Sequence, residues 1–272
     1  MNAKRILLDN IHNFTKGINV DSDAIDKKFE AKMKGIFNFK TDVIWYIAFL
    51  LVLLHGIGIY GIFTFDYLKN PMTTLWIIGM YIISNCGASA GAHRLWSHKS
   101  YKAKLPLRIL LLICFNMCGQ FVLLQLFFCF IIPTMLPVYL WNETWSRAII
   151  SQVFIRYMIT LNTVWTVNSI AHAWGTRPYN KNIKPTDNNI INYVTIGEGY
   201  HNYHHVFPWD YRSAEIGNDK INYTTFFINI CAKLGLAYDL RYPSLDSIRN
   251  IVLKRGDGTH PILHKMQGSK SD

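Results

Sequence analysis

Four long runs without an Asp, Glu, Lys or Arg constrain this chain most, because runs of that length are typical of helices that cross a membrane. They extend from Val43 to Phe65, from Asn70 to Ala92, from Ile109 to Asn142 and from Ala148 to Ala173, the last broken only by Arg156. The first run holds 23 residues, and as a helix it would measure about 34 Å, against about 30 Å for the hydrocarbon core of a bilayer. The alternative is a soluble protein with unusually apolar core helices, but four such runs rarely occur in one soluble domain.

The third run is too long for one span, since as a straight helix it would measure about 51 Å. We divide it into a shallow or interfacial helix from Pro106 to about Gly119 and a span from about Phe121 to Trp141. The predicted fold is all-α, with about four transmembrane helices and a histidine-rich cytosolic cap. The spans are expected near 43–65, 70–92, 121–141 and 148–172, inside a domain covering 43–260 that lies between segment 1–42 and tail 261–272.

The distribution of basic residues predicts the orientation. Residues 1–40 hold eight Lys and Arg, residues 94–108 hold five, and residues 177–272 hold twelve, whereas the connections 66–71 and 142–147 hold one each. By the positive-inside rule both termini and the 94–108 loop face the cytosol. The net charge of +11 could suit nucleic acid, but beside long apolar runs it favours a membrane surface. We expect no nucleic-acid partner.

Composition and cysteine spacing exclude several other classes. Only 17% of the residues are charged, against about 25% in average soluble chains, and half are hydrophobic, so a disordered or fibrous protein is excluded. The five cysteines show no paired spacing that would indicate a disulfide framework or a zinc site. The amino terminus lacks a sustained apolar stretch, which argues against a cleaved signal peptide.

Six of the ten histidines lie in three tight groups just at or past the predicted cytosolic ends of apolar runs. They are His93 and His98 in HRLWSH, His172 in NSIAHAWG, and His201, His204 and His205 in HNYHH. On a helix the last three would share one face, as would Asn168 and His172. Imidazoles that converge from several helices suit a transition metal, here one ion or a pair.

The other four histidines are not expected to bind metal. His55 lies on an apolar face, where packing is the simpler interpretation, and His12, His260 and His264 lie in polar terminal segments where we expect them to be solvated.

These motifs resemble those of the membrane acyl-CoA desaturases, most closely the Δ9, stearoyl-CoA type of animals. HRLWSH, NSIAH and GEGYHNYHHVFPWDYRSAE are similar to the first and third histidine boxes and to the motif between them. The resemblance covers most of residues 43–260, including GASAGAHRLWSHKSYKAKLPLRILLLICFN and FIIPTMLPVYLWNETW.

The resemblance implies four transmembrane helices under a cytosolic domain, two irons held by histidines and one water-bridged asparagine, and O2-dependent removal of two hydrogens from a fatty acyl-CoA. It implies cytochrome b5 as electron donor and the endoplasmic reticulum membrane as location, and it allows a homo-oligomer. Iron-ligand roles fall on His93, His98, His172, His201, His204 and His205, and the water-bridged role falls on Asn168. No further catalytic or cofactor-binding residue is implied. Because an alkyl C–H bond offers nothing for a side chain to polarise, a redox metal is needed for this reaction, and neutral imidazoles resist oxidation better than thiolates do.

The chain departs from the family in one large respect, because the second histidine box is absent. ICFNMCGQ runs directly into FVLLQLFF, so the missing segment, roughly eighty residues in the family's layout, would lie between about Gln120 and Phe121. A smaller departure is Trp45-Tyr46-Ile47, where the family often has Trp-Arg-Asn. The clean junction is typical of a skipped or missing exon; the alternative is a paralogue that lost its chemistry. Three of nine ligands and contacts to the CoA headgroup would be lost, so we expect little or no desaturase activity.

Two other functions compete with a desaturase. A non-catalytic membrane protein could keep the scaffold and bind an intact desaturase or another partner. A haem protein is disfavoured, because an axial histidine pair must approach from opposite faces, whereas HNYHH would place its histidines on one.

Overall fold

The computed structural model describes residues 43–119, 124, 126–215 and 222–263. The chain divides into two compact units, Met1–Val52 and Leu53–Asp272. In the first unit the described residues, 43–52, are the start of an apolar helix whose side chains are mostly exposed. The predicted segment 1–42 and all of the predicted tail except 261–263 lie outside the described residues.

The described chain is mostly helical, as the sequence predicted, with one small sheet. The helices are α1 (Trp45–Thr64), α2 (Pro71–Cys86), α3 (Leu105–Asn116), α4 (Ile132–Trp141), α5 (Trp145–Ile149), α6 (Tyr157–Asn168), α7 (Asn189–Val194), α8 (His201–Val206), α9 (Tyr223–Lys233) and α10 (Leu245–Arg255). Three π-helical segments, Gly87–Ser97, Leu126–Ile131 and Ile150–Arg156, and a 3₁₀ turn, Ile170–His172, continue or join them. Strands β1 (Lys102–Ala103) and β2 (Ala237–Tyr238) pair antiparallel, with Ala103 opposite Ala237.

Two of the described helices are long and apolar enough to cross a membrane, judged by length and composition. They are α1, with 20 residues, and the continuous helix Pro71–Ser97, with 27 residues. Pro71 starts the second helix, where its fixed φ fits the first turn and its missing N–H would have had no helical partner. The predicted spans 43–65 and 70–92 therefore coincide with observed helices.

The remaining predicted spans are matched less completely. The third is helical from Leu126 to Trp141, and the predicted junction at Gln120 and Phe121 lies outside the described residues. The fourth is helical from Trp145 through the π segment to Asn168, four residues short of the expected end at position 172.

Arg156, the one charge in the fourth run, is completely buried. Its guanidinium donates to the backbone carbonyls of Gln152, Met117 and Cys129. Met117 precedes the predicted junction and Cys129 follows it, so one side chain holds backbone from both sides.

Helix α3 packs tightly against the C-terminal half of the helix Pro71–Ser97. At Gly87 an added Cβ would collide with the backbone of Cys114 and Phe115, so only glycine lets the two helices approach this closely. Buried Leu107 and Leu111 of α3 share a core cluster with Ile228 of α9. This cluster fixes α3 and α9 beside the end of that helix.

A second core cluster supports the helix that carries HNYHH. Tyr203 and Phe207 pack with Tyr179 and with Ile248 and Val252 of α10. Because Tyr203 is fully buried, α8 has one fixed face and presents its histidines on the others.

Candidate metal centre

A π-helical turn brings the two histidines of HRLWSH together. They are five residues apart, and on an α-helix that spacing would separate them by about 140° around the axis. The backbone N–H of His98 instead donates to the carbonyl of His93 at 3.0 Å, which closes an i to i+5 turn. The two rings consequently lie edge to face, with centroids 4.7 Å apart.

Helix α8 divides its histidines between two groups. His204 lies against His93, at 4.5 Å between ring centroids, and against His98, at 4.6 Å. His201 and His205, one helical turn apart, lie with His172 at 4.8 and 5.6 Å. The three histidines of HNYHH share one face of α8, as predicted, with ring centroids 4.5–6.0 Å apart. Within that face His204 contacts one group of histidines, and His201 and His205 contact the other.

The six predicted histidines thus form two triads, which we name triad A and triad B. Triad A is His93, His98 and His204; triad B is His172, His201 and His205. In each triad the candidate ligand nitrogens all lie within 4.8 Å of one another. The rings of His201 and His204 are stacked with centroids 6.0 Å apart, so the triads adjoin.

The nitrogen contacts inside the triads fit a bound metal. The Nε2 atoms of His98 and His204 are 3.2 Å apart, and that of His201 lies 2.9 Å from that of His172 and 3.1 Å from that of His205. Two nitrogens held at about 2.1 Å from one ion, at angles of about 90–110°, would be about 3.0–3.4 Å apart. Without an ion, three converging nitrogens cannot all be satisfied by neutral imidazoles that each carry one proton.

Burial keeps two of these imidazoles, those of His201 and His204, in the neutral form that binds metal. Burial, together with the neighbouring His205 and His172 rings, lowers the pKa of His201 to about 3. Burial and the nearby His93 hold the pKa of His204 well below its usual value. Both side chains are therefore unprotonated at neutral pH, with a lone pair available for a metal.

A buried ion pair joins the first and third histidine motifs. Arg94 donates from Nε and Nη2 to Oε1 of Glu198 at 3.0 and 2.8 Å, and both residues are buried. Burial opposes ionisation of Glu198, but Arg94 and His93 outweigh it and keep the pKa of the carboxyl below its ordinary range. Its other oxygen, Oε2, lies 3.7 Å from Nε2 of His93. Glu198 is therefore beside triad A. The sequence did not lead us to name Arg94 as a site residue. The available signal was that it is the one Asp, Glu, Lys or Arg in the helix Pro71–Ser97.

A cavity of about 280 Å³ reaches both triads. His93 and His201 line it, together with Asn168 and the apolar side chains of Phe115 and Val167. Asn168 is the last residue of α6, and His172 follows in the 3₁₀ turn, so the predicted continuous helical face linking them is absent. Both residues still lie at the centre, one in the cavity wall and one in triad B.

The histidines set aside on sequence grounds have different surroundings. His55 accepts or donates a hydrogen bond at 2.9 Å to Asn162 and stacks on Trp165, away from either triad. The prediction that His260 is solvated is wrong, because its side chain is buried and its Nε2 lies 2.8 Å from Glu215. His12 and His264 lie outside the described residues.

Comparison with known proteins settles which family has this arrangement. The chain is 34% identical to the acyl-CoA Delta-9 desaturase of Acheta domesticus, over 82% of each chain. It is 35% identical to the stearoyl-CoA desaturase of Homo sapiens, over 81% of this chain and 80% of that one. The chain belongs to the acyl-CoA desaturase family. Its relatives include an acyl-CoA Delta(11) desaturase of Spodoptera littoralis, 34% identical, so membership does not fix the position of the double bond. No family model matches the chain.

The desaturase alignment also records a large gap. It extends over 294 positions, whereas 82% of a 272-residue chain is only about 223 residues, so this chain has no residue at about 71 of them. The alignment with the human protein has a gap of similar size, since 81% of the chain, about 220 residues, is spread over 291 positions. The total of about 71 positions is similar to the roughly eighty residues expected to be missing at the junction in the sequence.

Proposed function

We propose that this chain is a stearoyl-CoA-type desaturase scaffold for Δ9 chemistry, with an incomplete iron centre and little or no activity of its own. The observation that carries the proposal is the convergence of six imidazoles in two adjoining triads within a chain of the desaturase family. The reaction of the complete scaffold is O2-dependent formation of a double bond in a saturated fatty acyl-CoA, with electrons from cytochrome b5.

The triads are the places where this chain would hold iron. Triad A would take one ion and triad B a second, with Asn168 acting through a water molecule. Bound iron would supply the redox chemistry that breaks an unactivated C–H bond, which no side chain can do. Glu198 and Arg94 orient the His93 side of the site, and the buried, neutral His201 and His204 supply nitrogen lone pairs without bringing protons.

The cavity is the proposed position of the acyl chain. Its wall is apolar at Phe115 and Val167, and it passes His93 and His201, so an alkyl segment bound there would lie beside both triads. Ligand pockets usually measure about 300–1,000 Å³. At about 280 Å³ the cavity would enclose only part of a long acyl chain.

The orientation in the membrane belongs to the same proposal. α1, Pro71–Ser97, the helix ending at Trp141 and the helix ending at Asn168 would be the four spans, with triads, cap and termini on the cytosolic side of the endoplasmic reticulum. The concentration of basic residues in 1–40, 94–108 and 177–272 supports this orientation.

The gap of about 71 positions favours a non-catalytic role as the alternative. The missing box would leave the iron site short of three ligands, and losing even an outer-shell partner typically costs 10–100-fold in affinity or activity. A protein that keeps the scaffold could bind an intact desaturase or another partner without turnover.

Complementation of a desaturase-deficient yeast strain tests the proposal. We expect cells expressing this chain to remain dependent on added unsaturated fatty acid, while an intact relative expressed to the same level removes the dependence. Purified chain should hold fewer than two irons. Growth without supplement, or two tightly held irons per chain, would contradict the incomplete-site proposal.

A further inference from the structure

Two helices outside the predicted spans expose apolar stripes. On α9 the exposed side chains Tyr223, Phe226, Ile230 and Leu234 recur every three or four residues, which places them on one face. The opposite face packs into the core through Ile228 and Cys231. Phe226 is 66% exposed and Leu234 is 69% exposed, so large apolar side chains face outward on this side.

Helix α3 has the same division. Leu107 and Leu111 are buried in the core cluster that also contains Ile228 of α9. Leu105, Ile109 and Leu112 are exposed, at spacings of four and three residues. The two helices therefore share one core and each presents an apolar stripe away from it. Large contiguous apolar surfaces on a protein mark interaction sites.

Basic side chains border this surface. Lys104 precedes α3, Arg108 lies one turn into it, and Lys233 ends α9; all three are exposed. The Lys104 Nζ lies about 4.0 Å from the Cβ position of Gly235, so the start of α3 and the end of α9 adjoin. Within the described ranges 43–119, 126–215 and 222–263, none of the three pairs with a carboxylate at ion-pair distance.

The position of the surface fits a bilayer interface. Gly87 holds α3 directly against the helix Pro71–Ser97, one of the two described helices long enough to cross a membrane. In the orientation proposed above, this contact lies on the cytosolic side. A helix fixed there is close to the headgroup level, where apolar side chains enter the acyl region and Lys and Arg reach lipid phosphates.

We propose that α3 and α9 form a second membrane contact, which inserts both apolar stripes into the cytosolic leaflet and binds anionic phospholipid headgroups through Lys104, Arg108 and Lys233. Charge complementarity selects this occupant over an apolar protein partner, since three cations with no carboxylate partner among the described residues border the stripes. A basic residue near an anionic surface strengthens association roughly fivefold. The contact anchors the cap independently of any metal or acyl-CoA, so it is separate from the proposed catalytic function.

Photo-crosslinking tests the proposal on the full chain in nanodiscs. Phosphatidylserine and phosphatidylcholine, each carrying a diazirine near the top of the acyl chain, are compared at equal concentration, and the labelled peptides are mapped by mass spectrometry. We expect both α3 and α9 to be labelled, several-fold more by phosphatidylserine, while α1 is labelled equally by the two lipids. The variant K104E/R108E/K233E should lose the preference, and the control K181E/K254E/R255E, which reverses three exposed cations near α10, should keep it.

Two results would overturn the inference. Labelling of α1 without labelling of α9 would show that the surface faces water or a protein. Equal labelling of α9 by both lipids in the unmodified chain would remove the headgroup role. The variant F226D/I230D gives an independent measurement, because reduced α9 labelling with α1 labelling unchanged is expected only if the stripe enters the lipid.

Discussion

Each triad takes its histidines from separate segments, so single histidines can be used to separate the two sites. His98 belongs only to triad A and His172 only to triad B, and both are partly exposed, so their removal disturbs the core little. Buried His204, by contrast, is held between neighbours on several sides.

We predict that His98→Ala and His172→Ala each weaken one metal site and leave the other intact. Loss of a direct ligand should lower affinity at its own triad at least as much as the 10–100-fold typical of outer-shell changes. Titration of the metal-free chain with Co²⁺, followed by its visible absorption, measures the two sites together. His55→Ala is the matched control, because His55 contacts Asn162 and lies in neither triad. If either variant abolished both sites, a single shared site would replace the two-triad description.

The buried pair Arg94–Glu198 predicts a large effect on stability. Glu198→Gln keeps the shape of the side chain but leaves the buried guanidinium without a countercharge. Breaking such a pair typically costs about 3–5 kcal/mol, so the Tm of the purified protein should fall by several degrees. Asp239→Asn breaks the exposed ion pair with Lys102 and serves as the comparison; it should leave Tm nearly unchanged. Equal shifts in the two variants would refute the importance of burial.

Residue types were easier to predict than their surroundings. The three histidines of HNYHH could be found from their spacing, which is rare by chance, and HRLWSH was a weaker signal. His172 was found from its position at the end of the fourth apolar run. The burial of Arg94 and of His260 could not be predicted, because both depend on distant carboxylates, Glu198 and Glu215. A polar terminal segment suggested that His260 is solvated, and only the fold shows the buried partner.

At the level of elements, departures from the regular α-helix create the site. The π turn after Cys86 brings His93 and His98 to one side, and the end of α6 at Asn168 redirects the chain so that His172 reaches α8. The apolar periodicity of 3.6 residues that indicates an α-helix predicts neither the π turn nor the end of α6. For that reason the apolar runs predicted where the first two long helices lie but not how their ends present the ligands.

The short connections 66–71 and 142–147 give a test of the proposed orientation in the membrane. Glu143 is unsuitable for replacement by a cysteine for labelling. Its side chain is buried and accepts hydrogen bonds from Thr73 at 2.5 Å and from Arg147 at 2.6 Å. Lys69 and Ser146 are exposed and suit the purpose.

We predict that Lys69→Cys and Ser146→Cys react with a membrane-impermeant maleimide in sealed microsomes only after permeabilisation. Lys181→Cys, in the cap, should react without it. The native cysteines give a low background, since all five are buried or only partly exposed. Reaction of Ser146→Cys in intact vesicles would show that the helices ending at Trp141 and beginning at Trp145 do not meet in the lumen.

For the molecule as a whole, the gap and the retained site must be explained together. The family relationship extends over 82% of the chain, both triads are assembled, and Arg156 holds backbone carbonyls on both sides of the junction. A chain that drifted after losing its chemistry would have no reason to keep the six imidazoles converging. We therefore infer that this scaffold could still accept the absent ligands.

We accordingly predict that insertion of the missing segment restores activity. The segment of about 71 residues from the Acheta domesticus Delta-9 relative, placed between Gln120 and Phe121, would supply the absent imidazoles to triads that are already in place. The chimera should support growth of desaturase-deficient yeast without added unsaturated fatty acid, and its lipids should contain monounsaturated chains by gas chromatography. The matched control carries the same insert with its histidines changed to alanine; it has equal length and should give no growth. Growth with the control insert would mean that length or CoA contacts, rather than metal ligands, are what this chain lacks. Failure of the chimera despite normal expression would instead indicate that the rest of the chain has also lost its function.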